Sequence, residues 1–100
     1  MVRHLVMWNL KEGLTEEENK ANTERLKREV EALPQFIDGI ISIKVHINTL
    51  PPKSNRSIAL DSLFESEEAL AAYVVHPEHQ RVVEFGATIL QDRACADFYE

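Results

Sequence analysis

Three side chains of this sequence could together carry acid–base chemistry: the histidines His4 and His79, with Tyr73 as a partner. Imidazole titrates close to pH 7 and is the commonest general acid or base. A buried tyrosine hydroxyl can orient such a base or polarise a carbonyl. His4 stands in the middle of an apolar first segment, and His79 shares a helical face with Val82 and Val83. Tyr73 falls on the buried face of the preceding helix, and the break at Pro77 can bring it near His79. Burial should lower the pKa of His79 and keep it neutral, hence able to act as a base. Each residue also has a structural role open to it. His4 can be a hydrogen-bonded core histidine, and His79 can pack over a dimer edge. His76, next to Pro77, suits the N-cap of a short helix, and His46, on the polar side of a strand, reads as solvated.

Other chemistries find less support. His76 and His79, three residues apart, could begin a metal site completed by His4 or Glu78, but the proline between them works against a shared ion. No metal or cofactor is therefore expected. Cys95 is the sole cysteine, which excludes an internal disulfide and a thiolate zinc cluster of the usual type. Its place in an alternating run predicts a buried strand residue. Gly13, Gly39 and Gly86 are scattered, so there is no glycine-rich phosphate loop, and no nucleophile-elbow motif is present.

The elements that must position these residues follow from periodicity. Residues 2 to 10 are nearly all apolar or aromatic and too few for a buried helix, which predicts a strand covered on both faces. Thr15 and Glu18 make the capping-box pattern, with Glu16 and Glu17 adding favourable charge to the first turn. The helix they open should run to about Leu33, bury Leu26, Val30 and Leu33, and stop at Pro34. A second strand begins at Gly39, with Ile41, Ile43, Val45 and Ile47 on one face and Ile40, Ser42, Lys44 and His46 on the other. Asn48 to Asn55 is a loop by composition, and a third strand runs from about Arg56 to Glu65. Ser66 caps a second helix that buries Ala69, Leu70, Tyr73 and Val74. Pro77 ends it and opens a short third helix that closes near Gly86. A fourth strand, about Arg93 to Phe98, sets Ala94, Ala96 and Phe98 against Cys95, Asp97 and Tyr99.

The order is βαββαβ, the ferredoxin-like α+β arrangement. It predicts one domain over residues 1–100, with a four-stranded antiparallel sheet and helices on one face only. The bare sheet face calls for a second copy, so a homodimer through the sheet faces is expected. The chain is 44% hydrophobic and 28% charged, which is ordinary for a globular protein. Its net charge of −6 argues against nucleic acid and against an anionic membrane surface. No apolar run reaches the roughly 20 residues that span a bilayer, and residues 1 to 4 lead straight into a strand without a leader pattern. A cytoplasmic address is the expectation.

The opening Arg3-His4-Leu5-Val6-Met7-Trp8, the Phe64-Glu65-Ser66 strand end, the run Tyr73-Val74-Val75-His76-Pro77-Glu78-His79 and the closing Asp97-Phe98-Tyr99 together resemble the stress-responsive α/β-barrel (Dabb) family. The match spans the whole chain in order. The resemblance implies a dimeric, ferredoxin-like α+β barrel. One branch of the family, the plant polyketide (olivetolic acid) cyclases, acts on linear tetraketide thioesters. The resemblance to that branch implies His79 as general base, Tyr73 as its assistant and His4 lining the pocket. Trp8, Asn9, Asp61 and Ser62 depart from a smooth apolar tunnel, so the cyclase's substrate does not carry over. Two functions remain open: a small dimeric stress-related protein binding an apolar or aromatic ligand, and a cofactor-independent cyclase or lyase.

Overall fold

The computed structural model describes residues 1–50 and 55–100. The elements are β1 (Val2–Leu10), α1 (Glu16–Glu31), a 3-10 turn (Leu33–Gln35), β2 (Ile40–Ile47), β3 (Ile58–Phe64), α2 (Glu67–Val75), α3 (Pro77–Ile89) and β4 (Leu90–Tyr99). Of the loop expected over Asn48 to Asn55, residues 51–54 lie outside the described residues. The strands form one antiparallel sheet in the order β2-β3-β1-β4. This is the α+β arrangement the element order implies.

Register decides which residues meet the helices. Val2, His4, Val6 and Trp8 of β1 pair with Phe64, Ser62, Leu60 and Ile58 of β3. Period-2 alternation puts all eight on one face. That face holds the core: Val6, Val45, Ile58, Leu60 and Phe64 from the sheet against Leu26, Val30, Leu33, Tyr73, Val82 and Ile89 from the helical layer. The opposite face carries Leu5, Met7, Ala59, Leu63, Ala94, Ala96 and Phe98. Within one chain it is open, with Met7 43% and Phe98 45% exposed. The first strand is thus covered on its helix side only.

Helix α1 starts as its capping box dictates. Thr15 Oγ1 accepts from the Glu18 N–H at 3.1 Å, and Glu18 Oε1 accepts from the Thr15 N–H at 3.2 Å. The helix also finishes the edge of the sheet. Glu31 accepts the Val45 N–H at 3.0 Å, and Lys27 Nζ donates to the Val45 carbonyl at 2.7 Å. Two main-chain groups at the free edge of β2 are thereby satisfied by side chains, which blunts that edge as a template for further pairing.

Four expectations are corrected, beginning with Val74 of α2, expected to be buried but 44% exposed. A register shift between Ile40 and Ser42 re-aims the start of β2, so Ile40 packs toward the core while Ile41 is 47% exposed. A bulge adds one residue to a strand and exchanges the faces beyond it. Helix α3 does not close near Gly86 but runs on to Ile89. Gly86 is buried inside it, facing the Leu90 and Leu26 side chains. Val83 turns outward, leaving Val82, Gly86 and Ile89 as the buried stripe.

Gly39, which leads into β2, has φ +89, and a Cβ there would lie 2.6 Å from the Ala69 Cβ on α2. Its lack of a side chain permits both the left-handed turn and the close approach.

Leu26 is 4% exposed. Leu26→Ala should therefore cost about 2–5 kcal/mol, and Thr15→Ala about 0.5–2 kcal/mol through loss of the cap. Denaturant melts of the two variants check the ranking, and the reverse order would mean that α1 buries a different face.

Candidate functional site

The site is built around the junction of α2 and α3. Pro77 has no N–H and cannot continue α2, but its fixed φ suits the first position of a new helix. His76 between the helices is extended (φ −66, ψ 135) and caps α3, its Nδ1 accepting the Glu78 N–H at 3.1 Å. In an unbroken helix that N–H would bond to the Val74 carbonyl. The carbonyl is instead left free for side chains. Gln80 Nε2 donates to it at 2.6 Å, and His79 Nδ1 lies 3.1 Å from it. A carbonyl can only accept, so the proton of neutral His79 sits on Nδ1 and the lone pair on Nε2.

Burial pushes the pKa of His79 down from 6.5, helped by the positive charges of His4, Arg93 and His76, while the Val74 carbonyl works the other way. The His79 ring lies on that of Tyr73, with centroids 4.0 Å apart and planes 34° from parallel. Tyr73 is 1% exposed and packs against Phe64 at 4.9 Å. Burial holds its phenol well above the usual value, so it stays protonated.

His4 meets Tyr73 edge-on at 6.4 Å and Phe64 at 6.2 Å. It is 7% exposed. Its backbone carbonyl accepts from the fully buried Ser62 Oγ at 2.8 Å. The β1–β4 register sets His4 beside Asp97, and His4 Nδ1 is hydrogen-bonded to Asp97 Oδ1. The sulfur of Cys95 lies 3.8 Å from the same nitrogen and 3.7 Å from the same carboxylate. Burial, with the Asp97 charge adding to it, holds the Cys95 thiol above its ordinary pKa.

A cleft of about 520 Å³ opens between α2 and β4. Val2, Leu70, Ala71 and Val74 give it an apolar wall, while His4, Arg93, Cys95, Asp97, Glu67 and Tyr99 supply polar groups. Tyr73 thus touches both His4 and His79, but of the three only His4 lines this cleft. His76 and His79 engage their Nδ1 atoms with main-chain groups, and His46 is exposed.

Cys95, expected to be buried, is exposed. It sits on the helix side of β4, an edge strand that the helices leave largely uncovered. Asp97 as the partner of His4 was also missed. The alternation of β4 put Cys95 and Asp97 on one face, but only the pairing register shows that the face meets His4.

The model of the stress-responsive A/B barrel domain, Dabb, matches residues 2–100. The chain belongs to that family. A dimeric protein of unknown function and ferredoxin-like fold from Bacteroides fragilis is 32% identical, with a TM-score of 0.90 over 99% of this chain and 95% of its own. A dimeric ferredoxin-like protein of unknown function from Thermobifida fusca shares the fold at 20% identity and a TM-score of 0.83, covering 99% and 90% of the two chains. A hydroxynitrile lyase from Passiflora edulis has the same fold at 14% identity and a TM-score of 0.79, covering 97% and 90%. No curated protein matches the chain by sequence. Among the described residues no helix is long and apolar enough to cross a membrane.

His79 should titrate with a midpoint below 6.5 in a proton NMR pH series. The sign for stability follows. The unfolded chain takes up the proton at the ordinary value and the native chain resists it, so the contribution of His79 is intact above about pH 6.5 and is lost as pH falls toward its lower native pKa. A midpoint at or above 6.5 would contradict the burial of this ring.

Proposed function

We propose that this Dabb protein is a homodimer that binds a small, partly apolar molecule in the cleft between α2 and β4. The cleft itself carries the reading. Its volume of about 520 Å³ falls in the range of ligand pockets, which run to roughly 300–1,000 Å³ with apolar walls and a few placed polar groups. His4 and Asp97 would fix the orientation of a ligand carbonyl or hydroxyl, and Leu70, Ala71 and Val74 would take its apolar or aromatic part. The test is a heteronuclear NMR titration with small phenols and aryl ketones. Shifts confined to cleft residues, weakened by Asp97→Asn, support the assignment. Shifts elsewhere, or no saturable binding, would reject it.

A second reading is favoured by the state of His79. With Nδ1 committed to the Val74 carbonyl and the ring kept neutral, Nε2 is a base ready to accept a proton. In a cofactor-independent lyase or cyclase it would take a proton from a carbon beside a carbonyl, leaving an enolate. Tyr73, protonated and stacked on the same ring, would assist, and His4 would line the pocket. A hydroxynitrile lyase of the same fold shows that the architecture can house an enzyme, and likeness of fold carries no more than that. If the chain is catalytic, His79→Ala should remove most activity while Tyr73→Phe weakens it less.

The dimer would form through the sheet face bearing Leu5, Met7, Leu63 and Phe98. Relatives from Bacteroides fragilis and Thermobifida fusca are described as dimeric, and apolar area of that kind is rarely left bare on a monomer. Light scattering at micromolar concentration should return twice the chain mass, and Met7→Glu should shift it toward the monomer. A monomer mass for the unaltered chain would end this part of the proposal.

A further inference from the structure

Cys95 and Asp97 lie two residues apart on one face of β4, and the register with β1 brings His4 against them. One donor atom from each, the His4 ring nitrogen, the Cys95 sulfur and an Asp97 carboxylate oxygen, lie within 4.8 Å of one another. All three residues line the cleft. The geometry points to a metal site here, a three-ligand seat for zinc or a chemically similar divalent transition ion. It rests on neither the ligand nor the acid–base reading above.

Distances argue for a chelate. In a tetrahedral zinc site, sulfur stands about 3.5 Å from a neighbouring nitrogen or oxygen ligand, and nitrogen about 3.3 Å from oxygen, as the bond lengths of roughly 2.3 and 2.0–2.1 Å require. The Cys95 sulfur is 3.8 Å from His4 Nδ1 and 3.7 Å from Asp97 Oδ1, so two edges of the tetrahedron are already near their required lengths. The third edge is the hydrogen bond between His4 and Asp97. It must lengthen, and Asp97, 46% exposed in its side chain, has the freedom to withdraw. On binding, the thiol proton leaves to solvent and the thiolate becomes a ligand, while the proton that His4 Nδ1 shares with Asp97 passes to Nε2 and frees the Nδ1 lone pair for the ion. The fourth position opens to the cleft, where water or a donor atom of a bound molecule completes the shell.

The same positions argue against a cysteine nucleophile. In a Cys–His–Asp triad, sulfur and carboxylate engage opposite nitrogens of the imidazole. Here both approach Nδ1, which suits a shared central ion and not a relay. The donor set also selects the ion. Nitrogen and sulfur donors suit zinc, cobalt or copper, whereas magnesium and calcium require oxygen.

Cobalt(II) is the probe. The untagged chain, kept reduced without a competing thiol, should take up one cobalt per chain. It should show tetrahedral visible bands and a thiolate-to-metal charge-transfer band, and zinc should displace both. Cys95→Ser should lose the charge-transfer band, and Asp97→Asn should weaken binding by at least about tenfold, the smaller of the losses seen even for outer-shell changes. Both residues are exposed, so helix content by circular dichroism should match the unaltered chain. His76→Ala should leave binding unchanged. Absence of a thiolate band, its survival in Cys95→Ser, or its loss to magnesium would overturn the assignment.

Discussion

Everything placed on the helix side of this molecule depends on the register of β1 between β3 and β4. That strand is paired on both edges, so a slip of one residue would carry Val2, His4, Val6 and Trp8 to the outer face and bring Arg3, Leu5 and Met7 into the core. The outer face fastens the register by charge: Arg3 meets Asp61 across the β1–β3 pair at 2.9 Å and Glu100 at 2.7 Å. The inner face fastens it by fit. Ser62, fully buried among apolar neighbours, finds its partner in the His4 carbonyl. A displaced strand would leave that hydroxyl without an acceptor, at the cost of an unsatisfied buried group.

The second constraint is the break between α2 and α3. A continuous helix would have used the Val74 carbonyl for itself. Because Pro77 interrupts it, His76 takes the Glu78 N–H, and the carbonyl becomes the fixed point that sets the tautomer of His79. One residue without an N–H thus determines which nitrogen of a histidine two positions later carries its lone pair. The aromatic group beside it is arranged by the core: Phe64, the last residue of β3, holds Tyr73, which touches both histidines.

Much of this was legible in the sequence because it is local. The capping box at Thr15 and Glu18, the proline at position 77, and the alternation of β3 and β4 each involve residues a few positions apart. The element order then implies the ferredoxin-like sheet with helices on one face. What was illegible is what requires distant residues to meet. The partnership of His4 with Asp97 depends on how two strands at opposite ends of the chain align. The exposure of Cys95 depends on where the helical layer stops, and the misplaced face of Ile41 on one extra residue in a strand. Gly86 reads as a helix terminator in sequence, yet it lies buried within α3, which runs on to Ile89. The three residues first singled out do lie in one ring cluster, but the open space lies against His4 alone among them.

The contact between Gly39 and Ala69 acts as a spacer. With no side chain at 39 and a single methyl at 69, α2 lies closer to the start of β2 than any side chain at 39 would permit. The residues following Ala69 on that helix, Leu70, Ala71 and Val74, are one wall of the cleft, and β4 is the other. A larger side chain at 69 would meet the Gly39 main chain and press α2 outward, from a point outside the cleft itself.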